Sequence, residues 1–154
     1  PETVNLSDLL DAVSEQMQIM AAEKNISLIA SIPSGIKIEG MPDHLIRLFL
    51  NLVDNAIKYT PQDGEIALSL IVHQSVVHIT IRDTGIGIAS EHLPHLFERF
   101  YRGGRERSYQ GGVGLGLPIA HQIARTHSGT IEIESTPDVG TTVRVTLPHQ
   151  SGQK

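Results

Sequence analysis

The chain has 154 residues, of which 40% are hydrophobic and 19% charged, with no cysteine and a formal net charge of −5. These values suit one folded domain and exclude intrinsic disorder, disulfide frameworks, thiolate metal sites and thiol nucleophiles; the lack of cysteine is consistent with a reducing compartment. The acidic balance argues against nucleic acid as a partner, because phosphate backbones need a basic patch to displace their counterions, and the longest apolar stretches, near Leu48–Val53 and Leu68–Val72, fall far short of the ~20 residues that cross a membrane.

The chain opens on Pro-Glu-Thr, with neither a basic nor an apolar run to mark a secretory signal, and this abrupt start suggests an excised piece of a larger protein. From Leu6 to about Lys24, residues Leu6, Leu9, Leu10, Val13, Met17, Met20 and Ala21 follow the three-and-four spacing of an amphipathic helix, with Asn5 as N-cap. Residues Ser27–Ile32 and Ile36–Glu39 read as two short strands around the turn Pro33-Ser34-Gly35. A second helix is expected from about Asp43 to Tyr59, buried through Leu45, Leu48, Phe49, Leu52, Val53 and Ala56 and stopped by Pro61.

Beyond Gln62-Asp63-Gly64, the alternation of Ile66, Leu68, Leu70 and Val72, then of Val77, Ile79 and Ile81, predicts a hairpin of half-buried strands. Residues 83–116 hold most of the glycines, with one short helical pattern around Glu91–Phe100, and read as a long functional loop. Helical spacing returns over Leu117–His127, in a helix starting near Pro118 and ending at Gly129 as C-cap; Thr130–Ser135 and Thr142–Leu147 then alternate as closing strands. Helices and hairpins in this order predict an α+β two-layer sandwich: a mixed, mostly antiparallel sheet with one face covered by about three helices.

Three stretches carry chemistry. On the second helix His44, Arg47, Asn51, Asn55 and Lys58 share one face, opposite the apolar stripe. A solvated surface would explain that face. Yet asparagine is a mediocre helix former, and its carboxamide oxygen is the hard donor that Mg²⁺ prefers. Asp83-Thr84-Gly85-Ile86-Gly87-Ile88 follows directly on a strand. It reads either as an ordinary turn or as a carboxylate placed to accept from an adenine amine, beside glycines that let the backbone approach a ligand. Gly111-Gly112-Val113-Gly114-Leu115-Gly116-Leu117 leads into the last helix, where backbone N–H groups and the helix dipole favour phosphate. It is neither a dinucleotide fingerprint, lacking the βαβ unit, nor a P-loop, lacking Gly-Lys-Ser/Thr.

Together these motifs make the chain resemble the catalytic domain of bacterial sensor histidine kinases, within the ATPase superfamily that includes DNA gyrase B, the MutL repair proteins and a major heat-shock chaperone. Asn51 to Thr60 matches the family's N box, Asp83 to Ile88 its first glycine box, Leu96 to Arg102 its F box and Gly112 to Leu117 its second glycine box; the likeness spans roughly residues 4–148 and includes Gly140-Thr141-Thr142 before the final strand. It implies the Bergerat ATP-binding fold as a single domain over residues 1–154, with a mobile ATP lid at about 96–116 and a flexible tail at 149–154. By the same resemblance Asn55 would ligate Mg²⁺, Lys58 would contact phosphate and Asn51 would sit beside the phosphates. Tyr59 would stack on adenine or ribose, Asp83 would read the adenine amine, and Gly85, Gly87 and Ile88 would shape the pocket floor. Arg102 would reach the terminal phosphates, while Gly112, Val113, Gly114, Leu115, Gly116 and Leu117 would cradle the phosphate chain and Thr142 would support the adenine site.

ATP-hydrolysing members of the superfamily resemble one another in carrying a glutamate where this chain has Asn51, which cannot act as a base at neutral pH. The resemblance therefore implies Mg-ATP-dependent phosphoryl transfer to a histidine on a separate helical hairpin of the same, dimeric kinase, with a response regulator downstream. It also implies a cytoplasmic domain whose parent is attached to the inner membrane. The family's acceptor histidine precedes an acidic residue and then a proline, and no histidine here does so: His44 is followed by Leu-Ile-Arg and His92 by Leu-Pro-His. A fragment without its acceptor should not phosphorylate itself. Two other functions share these motifs, a serine kinase of the anti-sigma type and a catalytically silent nucleotide-binding scaffold; the F box and Asn-Ala-Ile-Lys-Tyr-Thr favour the histidine kinase.

Overall fold

The computed structural model describes residues 1–89, 91 and 113–149, with residues 113–116 described as backbone only. Apart from Glu91, the helical pattern expected at 91–100, the F box and the expected lid residues up to Gly112 lie outside that set, as do residues 150–154 of the expected tail. Helix α1 (Leu6–Glu23) begins as anticipated: Asn5 is extended, and its side chain accepts the Asp8 N–H at 2.9 Å, satisfying one of the orphan donors of the first turn. The predicted stripe from Leu6 to Ala21 is buried, apart from Met20, which is 39% exposed.

Before α1 lies a strand that the sequence pattern missed. β1 (Glu2–Asn5) pairs antiparallel with β3 (Lys37–Gly40), bringing the buried side chains of Val4 and Ile38 into register. Four residues with one large apolar side chain are too few to show a period of two. Helix α2 (Pro42–Tyr59) carries proline at its first turn, where the missing N–H costs nothing. Its two ends are held by other elements. Lys24, just past α1, donates from Nζ to the carbonyls of Ile57 at 2.9 Å and Lys58 at 3.4 Å, and the Met41 N–H donates to His127 Nε2 at 3.0 Å.

The main sheet joins β2 (Ser27–Ser31), β4 (Glu65–His73), β5 (Val76–Asp83), β7 (Gly140–Pro148) and β6 (Thr130–Thr136), in that order. Only β2 runs parallel to its neighbour β4, since α2 carries the chain across between them; the other pairings are antiparallel. Leu28, Ile66, Leu68, Leu70, Val77, Ile79, Ile81, Ile131, Val145 and Leu147 point from one face into the core shared with the helices. The opposite face carries Ile29, Arg82, Glu132 and Arg144 outward. This is the expected two-layer α+β sandwich.

Helix α3 runs from Val113 to Thr126 and so begins several residues before Pro118, the expected start. From Val113 onward the second glycine box is thus the opening of the helix rather than a loop before it. Glycines at 114 and 116 hide the periodicity, and the helix runs on through Pro118, which forgoes the bond its N–H would have made to the Gly114 carbonyl. At the other end, Ser128 rather than Gly129 takes the left-handed conformation, with φ of 62°, while the Gly129 N–H returns to the Ala124 carbonyl at 2.8 Å.

Candidate functional site

A cleft opens where the C-terminal half of α2, the end of β5 and the start of α3 converge. Its walls are apolar: Leu52 and Ala56 from α2, Ile81 from β5, Ile86 and Ile88 from the following loop, Leu117 from α3, and Ile133 and Val143 from the β6–β7 hairpin. The cleft is open to solvent, and its mostly apolar lining has the character of a small-molecule pocket. Into it project a few polar side chains, Asn55, Tyr59, Asp83 and Thr141.

Asp83 is 8% exposed at the end of β5. Its Oδ1 accepts the backbone N–H of Gly85 at 2.8 Å and that of Thr141 at 3.2 Å. Burial pushes the carboxyl above the usual range, and the two N–H groups partly offset that rise. All the hydrogen bonds from described residues fall on Oδ1, so Oδ2 remains as an acceptor.

The loop after Asp83 is fastened on three sides. The Thr84 N–H donates to the Glu65 carbonyl, the Ile86 N–H to the Tyr59 carbonyl, each at 3.1 Å, and the Ile88 N–H to Ser135 Oγ at 2.7 Å. Gly87 has φ of +76°, and a Cβ there would collide with the backbone of Thr136 and Pro137. Gly85 is equally closed in, against the Tyr59 carbonyl and Asp83 Oδ1. Gly87→Val combines a left-handed β-branched residue with a backbone overlap and is expected to cost about 3 kcal/mol. A urea unfolding curve would show it as a lowered midpoint at unchanged slope.

Residues 40–151 match the family described as histidine kinase-, DNA gyrase B-, and HSP90-like ATPases. The chain belongs to this ATPase family. It is 40% identical over 145 residues to the sensor histidine kinase RppB of Synechocystis, covering 93% of this chain and 32% of that protein. Over 140 residues it is 37% identical to the phosphate regulon sensor protein PhoR of Pseudomonas aeruginosa, covering 90% of the chain and 32% of the relative. The chain thus spans about a third of the length of these curated relatives. Among solved structures, the mycobacterial sensor histidine kinase MprB superposes with a TM-score of 0.86 at 27% identity, covering 96% of this chain and 98% of that one. Full-length ShkA in complex with AMPPNP gives a TM-score of 0.78 at 26% identity, over 95% of this chain and 30% of that one.

The residues expected from the family's boxes fall around the cleft as follows. Asn55, Tyr59, Asp83, Gly87, Ile88 and Leu117 line it. Asn51 and Lys58 lie one turn before and about one turn after Asn55 on α2, and Lys58 pairs with Asp54 at 3.2 Å. Both partners are substantially exposed, so the pair is worth little, and Lys58 can exchange it for an anionic ligand. The Asn55 Nδ2 is buried and has no hydrogen-bond partner among the described residues, an exception that calls for a partner from elsewhere. Val113, Gly114, Leu115 and Gly116 form the first turn of α3, whose N–H groups have no intrahelical acceptor. Arg102 and Gly112 lie outside the described residues.

Thr142 is a correction. It pairs with Arg82 and Glu134 across the sheet and faces away from the helices, while Thr141 lines the cleft. The parity of the strand carried that information: Val145 and Leu147 are core residues, and the period of two places Val143 and Thr141, not Thr142, on their side. Ser135 was also missed, because its role depends on cross-strand register that no local pattern displays. No helix among the described residues is long and apolar enough to cross a membrane.

Proposed function

We propose that this chain binds Mg-ATP in the cleft and donates the γ-phosphoryl group to a histidine on the helical hairpin of the same sensor kinase. That event would be the first step of a two-component relay to a response regulator. The observation that carries this reading is the presence of Asp83 and Asn55 in one apolar cleft: a buried carboxylate whose Oδ2 takes no hydrogen bond from the described residues, and a carboxamide whose buried Nδ2 has no partner among them. An adenine fits the apolar walls with its amine on Asp83 Oδ2. The phosphates would then run towards the first turn of α3, whose N–H groups and dipole favour anions.

The donor set suits Mg²⁺ as well. Asn55 would hold the ion through its carboxamide oxygen, and when bound the ion neutralises the phosphate oxygens on which charge develops. Lys58 would add a cation, and Asn51 would orient phosphate oxygens. With asparagine rather than glutamate at 51, no carboxylate stands there to activate water, which favours an incoming imidazole over hydrolysis. In the transfer, the imidazole nitrogen bonds to the γ-phosphorus as the bond to the β–γ bridging oxygen breaks and ADP departs. The parent would dimerise through the helices that carry the acceptor and would be attached to the bacterial inner membrane, with this domain in the cytoplasm.

The test is a calorimetric titration with a non-hydrolysable ATP analogue, with and without Mg²⁺ and beside the GTP analogue, followed by transfer to the purified acceptor hairpin. Adenine preference, tighter binding with Mg²⁺ and acid-labile label on the hairpin are the expected results. Acid-stable label would indicate a serine kinase, and absent label with intact binding a scaffold.

A further inference from the structure

Ser135 stands opposite Thr141 in the register of β6 and β7, behind the cleft rather than lining it. Its Oγ accepts the Ile88 N–H at 2.7 Å and lies 2.8 Å from Thr141 Oγ1 and 3.1 Å from the Gly140 carbonyl oxygen. A hydroxyl has one proton and two lone pairs, and Ile88 occupies one of those lone pairs. The Ser135 proton can go to Gly140, in which case Thr141 must donate back to Ser135 and shows the cleft only lone pairs. Alternatively it goes to Thr141, the shorter contact, and the Thr141 proton is released towards the cleft.

The two arrangements offer opposite chemistry to a base. Asp83 Oδ2 already supplies an acceptor, and Asp83 is fixed against Thr141 by the bond from the Thr141 N–H to Oδ1. Adenine presents an amine donor next to a ring-nitrogen acceptor, so it is matched by an acceptor and a donor side by side. Guanine presents a carbonyl next to a ring N–H, the reverse order, and meets that pair with two mismatches.

We propose that Ser135 is a positioning residue for base specificity: it donates to Thr141 Oγ1 and thereby turns the Thr141 proton towards the ring nitrogen beside the adenine amine. The assignment rests on the adenine nucleotide proposed for the cleft. Ser135 would also tie the first glycine box to that arrangement through Ile88, so that one hydroxyl sets both the loop and the polarity of the adjacent group.

The test compares ATP and GTP analogues by calorimetry on the unmodified chain, Ser135→Ala, Thr141→Val and the double variant, with melting temperatures alongside. Ser135→Ala should lose about tenfold in affinity for the ATP analogue and leave GTP binding unchanged. Thr141→Val should do the same, and the double variant should bind no worse than Thr141→Val, since the two act as one unit. Ser135→Thr, which keeps the hydroxyl, should restore the preference. Equal losses for both nucleotides, or additive losses in the double variant, would overturn the role. If Ser135→Ala unfolds too readily to titrate, Ser135→Cys keeps the volume with a weak donor and gives the same comparison. Absence of adenine preference in the unmodified chain would remove the adenine assignment together with this proposal, whereas a preference that survives in Ser135→Ala removes the proposal alone.

Discussion

Asn55→Ala is expected to lower phosphoryl transfer to the acceptor hairpin by at least about a hundredfold, because a metal's charge stabilisation in such reactions is worth several kcal/mol. The same variant should bind the ATP analogue equally well with and without Mg²⁺. Its fold should be little affected, since the amide nitrogen removed is buried and lacks a partner among the described residues; deleting an unsatisfied buried group is close to neutral or favourable. Melting temperature therefore separates a site effect from a folding effect. A variant that keeps the Mg²⁺ dependence of the parent chain would remove Asn55 from the metal site.

Asp83→Asn should separate folding from recognition even more cleanly. The amide oxygen can accept the same two N–H groups, from Gly85 and Thr141, while the buried charge disappears. In the unmodified chain the folded-state pKa of Asp83 lies above its ordinary value because of burial. The folded state thus binds this proton more readily than the unfolded state, and the associated stability is complete below the unfolded pKa and lost as pH rises through the folded one. At neutral pH Asp83→Asn is accordingly expected to melt at the same temperature as the parent chain or higher, and its stability should lack that fall with rising pH. Recognition moves the other way: affinity for the ATP analogue should drop about tenfold or more through loss of a charged acceptor, while the GTP analogue should bind somewhat better, because the amide NH2 that replaces Oδ2 can donate to the guanine carbonyl. Melting curves at acid and neutral pH, together with paired titrations, read both effects.

Much of the architecture was legible because its periods are strong. The stripe from Leu6 to Ala21 and the alternation of Ile66, Leu68 and Leu70 fix helix and strand, and Asn5 is placed where a cap must be. What could not be seen has physical causes. β1 forms because Val4 meets Ile38 across the chain, a tertiary event that four residues do not announce. The start of α3 was hidden because glycine carries no side chain to show a face. At the site, the asparagines and Asp83 stood out through residue type and spacing, but strand parity was overlooked at Thr142, and the apolar walls are indistinguishable in sequence from ordinary core.

The fastening of α2 at both ends has a thermodynamic consequence. An ammonium group holds its terminal carbonyls and an imidazole holds the amide that precedes its first turn, each supplied from a different part of the chain. The asparagines therefore ride on a preorganised rod whose conformational entropy is lost when the domain folds, not when nucleotide arrives. Little of the free energy of nucleotide association is then consumed in aligning the residues that touch it.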